Sequence, residues 1–174
     1  MSCALTQGFT LDCKDSLGGI KSVRFASLSD WEAQTPVYAS GVVTVTPVGN
    51  AFWKYEQLKE TSSLTENINS APSAGTVYYT PEVVVVLSKL EATKRNEIKL
   101  LAQNRLVAIV ETNDETPTYW VVGCTTGLEV SAGSSASGTA YADLQGYSIT
   151  FTGAEAAPMF NISAADAAGM TNSN

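Results

Sequence analysis

One run in this chain has the period of a helix, and nearly every other apolar run is too short and too β-branched to be one. LEATKRNEIKLLAQN (Leu90 to Asn104) sets Leu90, Ile98 and Leu101 on one face and Asn96, Lys99 and Gln103 on the other, with no Gly or Pro inside it. Lys94 falls on the apolar side, Ser88 is the expected N-cap, and Asn104 is the expected stop. Around this run, VVTVTP (Val42 to Pro47), RLVAIVETND (Arg105 to Asp114), TPTYWVVGC (Thr116 to Cys124), TGLEVSAG (Thr126 to Gly133) and GYSITFTG (Gly146 to Gly153) read as strands bounded by turn residues. GGIKSVRFASLSD (Gly18 to Asp30) reads as a strand with room for a bulge, because Ile20 and Val23 are three apart. AFWKYEQLKE (Ala51 to Glu60) is placed as a strand on its aromatic start, and SSLTENINS (Ser62 to Ser70) as a polar strand or hairpin return. TVYYTPEVVVVLS (Thr76 to Ser88) is a long strand signal in which Pro81 lacks a ladder donor, which predicts an edge, a bulge or a break there.

The expected fold is therefore mainly β: an antiparallel β-sandwich or β-barrel flanked by a single α-helix. At 174 residues the chain is most simply one domain, given domains of roughly 100–200 residues. Its expected division is an N-terminal extension over 1–17, a sandwich domain over 18–153 with the helix at 90–104, and a soft C-terminal tail over 154–174. Hydrophobic residues at 44% and charged residues at 16% suit a folded chain.

The net charge of −7 repels phosphate, and the one basic cluster, KRNEIK (Lys94 to Lys99), is interrupted by Glu97 and reads as a solvated helix face. The N-terminus has no signal-peptide pattern, and VVVVL (Val83 to Leu87) is far short of the ~20 residues that span a bilayer. A soluble protein made in a cytoplasm is the expectation. Cys3, Cys13 and Cys124 form no disulfide-dense or zinc pattern; Cys3 and Cys13 are within reach of pairing in sequence, but reduced thiols are expected.

Histidine is absent, which removes the commonest general base and metal ligand. The carboxylate pairs Glu56 with Glu60 and Asp114 with Glu115 sit in polar stretches where solvated acids are expected. No nucleophile elbow, Walker or dinucleotide glycine pattern occurs, and Asp114, Glu115 and Asp143 stand in no calcium-loop spacing. No enzyme, catalytic residue, cofactor or metal is expected. The aromatics Trp31, Trp53, Tyr78, Tyr79, Tyr119 and Trp120 read as core or subunit interface, with a glycan-binding sandwich that exposes Trp31, Trp53 and Tyr55 as the alternative.

Two soft segments flank the strand Gly146 to Gly153: the loop SAGSSASGTA (Ser131 to Ala140) and the tail AEAAPMFNISAADAAGMTNSN. Both are small and polar, unfit for a core and suited to contacts with other molecules. Together with Cys3 to Leu17 and Ser62 to Gly75 they are the candidate contact segments, and deletion after Pro158 is expected to leave a folded monomer that assembles poorly.

The order of a short helix, RLVAIVETND, TYWVVGCTTGLEVSAG and then SGTAYADLQGYSITFTGAEAAPMF resembles tail tube and related virion structural proteins of long-tailed bacteriophages, of the kind that infect Bacteroidetes. The resemblance spans roughly residues 76 to 160 and rests on Trp120 to Gly123, Gly127 to Val130 and Ser137 to Gly153; the start, MSCALTQGFTLDCKDSLGGIK, shares it. It implies a virion protein whose partners are copies of itself and other tail proteins. Six subunits would close into a ring, with rings stacked into a tube through which genomic DNA passes without specific binding. An auxiliary capsid, ring or adaptor protein of the same virion is the neighbouring expectation. Sheets joined edge to edge would form a continuous inner wall, and an acidic lining would let duplex DNA slide.

Overall fold

The computed structural model describes residues 7–10 and 16–172. In chain order the elements are β1 (Ile20–Ser27), α1 (Leu28–Ala33), β2 (Val37–Ala39), β3 (Val42–Thr44), β4 (Trp53–Glu56), β5 (Ser63–Ala71) and β6 (Thr76–Ser88). They continue with α2 (Ala92–Gln103), β7 (Leu106–Thr112), β8 (Tyr119–Val122), β9 (Glu129–Ala136), β10 (Gly146–Thr152), β11 (Phe160–Ile162) and α3 (Ala164–Gly169). The strands form a seven-stranded sheet, β2-β3-β11-β8-β7-β1-β4, and a four-stranded sheet, β5-β6-β10-β9. The mainly β, sandwich-like class is as expected.

Alternation explains where the core sits. On β7, Leu106, Ala108 and Val110 face the four-stranded sheet and pack with Val23, Phe25, Val83, Val85, Ile149 and Phe151 in a first core. Val107 and Ile109, between them, face the opposite way into a second core with Trp31, Val43, Phe52, Ile162, Ala167 and Met170. A strand buried on both faces reads as a continuous apolar run, as LVAIV does. Each fully buried side chain of this size, such as Phe151 or Trp31, contributes about 1.5–3 kcal/mol.

The second core depends on two helices that the single-helix expectation lacked. Ser27 Oγ accepts from Asp30 N at 3.1 Å and opens α1; Ser163 Oγ accepts from Asp166 N at 3.0 Å and opens α3. The Ser-x-x-Asp signals were in the sequence, but both helices are one and a half turns long, too short to show a 3.6-residue period. The expected long helix is α2, beginning at Ala92 and not at Leu90. Ser88 closes β6 and does not cap; its carbonyl accepts from Lys94 Nζ at 2.6 Å, which puts the lysine on the apolar side to use.

The expectation of a soft tail is overturned. β11 lies between β3 and β8, parallel to the first and antiparallel to the second, and Ile162, Ala167 and Met170 are buried in the second core. Within α3 the residue buried in this core is the small Ala167. Residues 18–172 therefore form one packed unit, not a sandwich ending at 153 with a loose appendage.

β6 runs through Pro81 unbroken. Pro81 pairs with Glu66 on β5, and its carbonyl accepts from Gly153 N at 3.3 Å, just beyond the last β10 pair, Thr152 with Glu82. In an antiparallel strand the N and the carbonyl of one residue point the same way, so the missing N–H faces the place where β10 has already ended. β1 carries its expected irregularity between Ile20 and Ser22. Gly146 opens β10 because a Cβ there would collide with the Leu87 carbonyl oxygen.

Candidate functional site

The four-stranded sheet is the most distinctive surface. None of its four strands contains lysine or arginine, and its acids are Glu66, Glu82 and Glu129. Cross-strand partners share a face, so Leu64 and Val83, which belong to the first core, assign their pair to the inner face. The outer face then carries Ser63, Thr65, Asn67, Asn69, Thr80, Glu82, Ser148, Thr150 and Ser134, mostly hydroxyls and amides, with Tyr78, Val84 and Val86 set among them. Its outermost strands, β5 and β9, pair on one side only among the described residues.

β5 and β6 pair from Ser63–Val84 out to Ala71–Thr76, whereas β10 covers β6 only from Glu82 to Ser88. The distal hairpin is thus a two-stranded ribbon projecting past the sandwich. Glu155 anchors its base: Tyr79 and Glu155 exchange both backbone hydrogen bonds at 2.8 Å, and the Glu155 carboxylate accepts from Thr125 N and Thr126 N at 3.0–3.2 Å.

The ionisable groups are structural. On the outer face of the seven-stranded sheet, Glu111 accepts from Ser22 Oγ at 2.7 Å and pairs with Arg24 at 3.2 Å and Lys21 at 3.0 Å, while the Arg24 guanidinium lies over the Tyr119 ring. Burial pushes the Glu111 carboxyl up, but the Ser22 hydroxyl, Lys21 and Arg24 together outweigh it and hold it below the ordinary value. Arg24 Nε is buried without a partner, a cost of about 1–3 kcal/mol that the rest of the network offsets. Burial raises Glu66, partly countered by the Met159 N–H at 2.7 Å. Burial, with Glu155 nearby, pushes the Cys124 thiol up to about 12, and burial likewise raises Tyr38 to about 12.

The carboxylates weighed for catalysis or calcium come apart. Glu56 pairs with Lys54 at 3.1 Å, and Glu60 is exposed at a turn. Asp114 accepts from Leu17 N at 2.8 Å, and that bond lowers its carboxyl. Asp143 accepts from Thr139 N and Ala140 N, both at 2.7 Å, which makes it the staple of its own loop. Among the described residues no group of three His, Cys, Asp or Glu is placed to hold a metal, and no helix is long and apolar enough to cross a membrane. Trp53 and Tyr55 line an open groove of about 190 Å3 against α2, but Trp31 is buried on the other face of the sheet. The platform of three exposed aromatics therefore does not form.

The four candidate contact segments fare differently. Most of Cys3 to Leu17, with Cys3 and Cys13, lies outside the described residues. Ser62 to Gly75 is β5 and its turn. Ser131 to Ala140 is strand as far as Ala136, a correction to its reading as a loop: Ala132 to Ala136 each pair with a residue of β10 and need no core side chain, while Ser131 falls at the register shift between Thr150 and Phe151. The fourth, the tail, is core, as described above. The sequence reading missed the inner face of the projecting hairpin, although Ile68, Val77 and Tyr79 recur with strand period.

Compared with protein-family models, with curated proteins and with solved structures, the chain matches none of them.

Proposed function

We propose that this chain is a phage virion structural protein whose copies join into rings and stack as a tail tube, with the four-stranded sheet as the inner wall. The observation that carries the reading is this sheet itself: two edges that pair on one side only among the described residues, a hydroxyl- and amide-rich outer face, and no cation in any of its four strands. β5 of one copy adds to β9 of the next, which extends the ladder from subunit to subunit. Both strands are free of basic residues, and the stretch from Val130 to Ala142 on the β9 side carries no charge at all, so acidic copies meet there without strong repulsion. A wall of hydroxyls, amides and a few carboxylates offers phosphates no counter-charge, so duplex DNA moves past it without holding.

Electron microscopy of the purified, concentrated protein tests this. Hollow tubes or stacked rings are expected; isolated rings that never stack point instead to a ring or adaptor component. A chain that stays monomeric at every concentration and is missing from parent particles overturns the proposal.

A further inference from the structure

Both sheets run past the core they share, and each leaves part of its inner face uncovered. On the four-stranded sheet, the face that begins with Leu64 and Val83 continues along the projecting ribbon through the pairs Glu66–Pro81, Ile68–Tyr79 and Ser70–Val77. Ile68 is 71% exposed and Val77 53%. On the seven-stranded sheet, Val43 points into the second core, so its neighbours Val42 and Thr44, with their partners Ala39 and Val37, point to the inner side. There Val37 is 62% exposed and Val42 42%.

We infer that these two faces are the halves of one head-to-tail contact between copies of this chain: Ile68, Val77 and Tyr79 of one copy pack on Val37, Ala39 and Val42 of the next. Charge selects the occupant. The chain carries −7, yet no charged residue lies in 33–53 or in 67–81, the two segments that contain the six contact residues; Glu66, at the base of the ribbon face, accepts from Met159 N within the same chain. A basic partner is drawn to acidic surface and gains nothing from an aliphatic, uncharged one; a second acidic copy meets least repulsion here. Each face is the inner side of a sheet that ends without its second layer, and the other face supplies that layer from β-branched side chains. The two patches are unlike, so their contact is heterologous and propagates into a ring or a filament. The inference rests on the self-assembly reading and adds to its edge pairing a packed apolar contact.

The test uses two double variants of the full chain, Ile68→Glu with Val77→Glu, and Val37→Glu with Val42→Glu. All four positions are exposed, so each variant is expected to melt near the parent temperature. Each alone is expected to lose assembly by tenfold or more, and their equimolar mixture to give a capped dimer and nothing larger, by light scattering or analytical ultracentrifugation. A mixture that stays monomeric, or either variant assembling like the parent, overturns the contact. Should a glutamate variant misfold, Val77→Cys and Val42→Cys, each on a Cys3→Ser, Cys13→Ser background, provide a second route. A bifunctional maleimide is expected to link copies carrying Val77→Cys to copies carrying Val42→Cys, and absence of that cross-link in assembled material overturns the contact. Tubes that persist in both double variants sink this contact and leave the tube reading standing. Capped dimers from a parent that forms solid filaments support the contact and sink the tube.

Discussion

Tyr79 and Glu155 exchange both of their backbone hydrogen bonds at 2.8 Å, and the same Glu155 spends its carboxylate on Thr125 N and Thr126 N in the turn that follows β8. One residue therefore ties the base of the projecting hairpin to the end of the other sheet. Glu155 is only 7% exposed, so an alanine there leaves two amide donors facing little water. Glu155→Ala is expected to destabilise the fold by about 1–3 kcal/mol, read as a lower urea midpoint. Glu155→Gln, which keeps one acceptor oxygen, is expected to lose less. An unchanged midpoint for the alanine variant would show that the clamp contributes nothing.

The tail belongs to the core. Met170 and Ala167 are fully buried and Ile162 nearly so, and β11 separates β3 from β8. Deletion after Pro158 is thus expected to give an unfolded or aggregated chain, against the folded monomer that composition suggested, and Met170→Ala to cost about 2–5 kcal/mol. Circular dichroism and a thermal melt decide between the two; a cooperative melt in the truncated chain would refute the packed-tail account.

Glu111 and Glu66 tilt stability with pH in opposite directions. Glu111 titrates below its ordinary 4.5 in the fold, so its contribution is present above the unfolded value and lost as pH falls through the folded one. Stability is expected to drop below about pH 4.5, and Glu111→Gln to flatten that drop while weakening the protein at pH 7. Glu66 titrates above 4.5, so its contribution is present below the unfolded value and lost as pH rises through the folded one. Glu66→Gln keeps an acceptor for Met159 N and is expected to raise the melting temperature at pH 7 but not at pH 4. Equal effects at both pH values would contradict this.

Cys124 is expected to be inert. Its thiol is buried and pushed up to about 12, so almost none is thiolate at pH 8. Maleimide treatment of the native protein followed by peptide mass spectrometry should leave Cys124 unlabelled until denaturant is added. Labelling of Cys124 at the native-state rate of an exposed thiol would contradict the packing.

Local pattern by itself determined the class of fold. β-branched runs cut by Gly and Pro, with one uninterrupted helical run, specify strands and α2 because backbone propensity and side-chain period act within a few residues. It also marked the β1 irregularity through Ile20 and Val23, and the long β6. Tertiary structure decided which small, polar segments were core. Ala167 and Met170 are buried because α3 docks on a sheet whose strands come from residues 20 to 162, a long-range fact that composition does not carry. It decided, too, that Pro81 is harmless, since its missing donor points past the end of β10. And it set Ile68 and Val77 beyond the reach of the core they were patterned to join, because the extent of a sheet's cover depends on where its partner sheet stops.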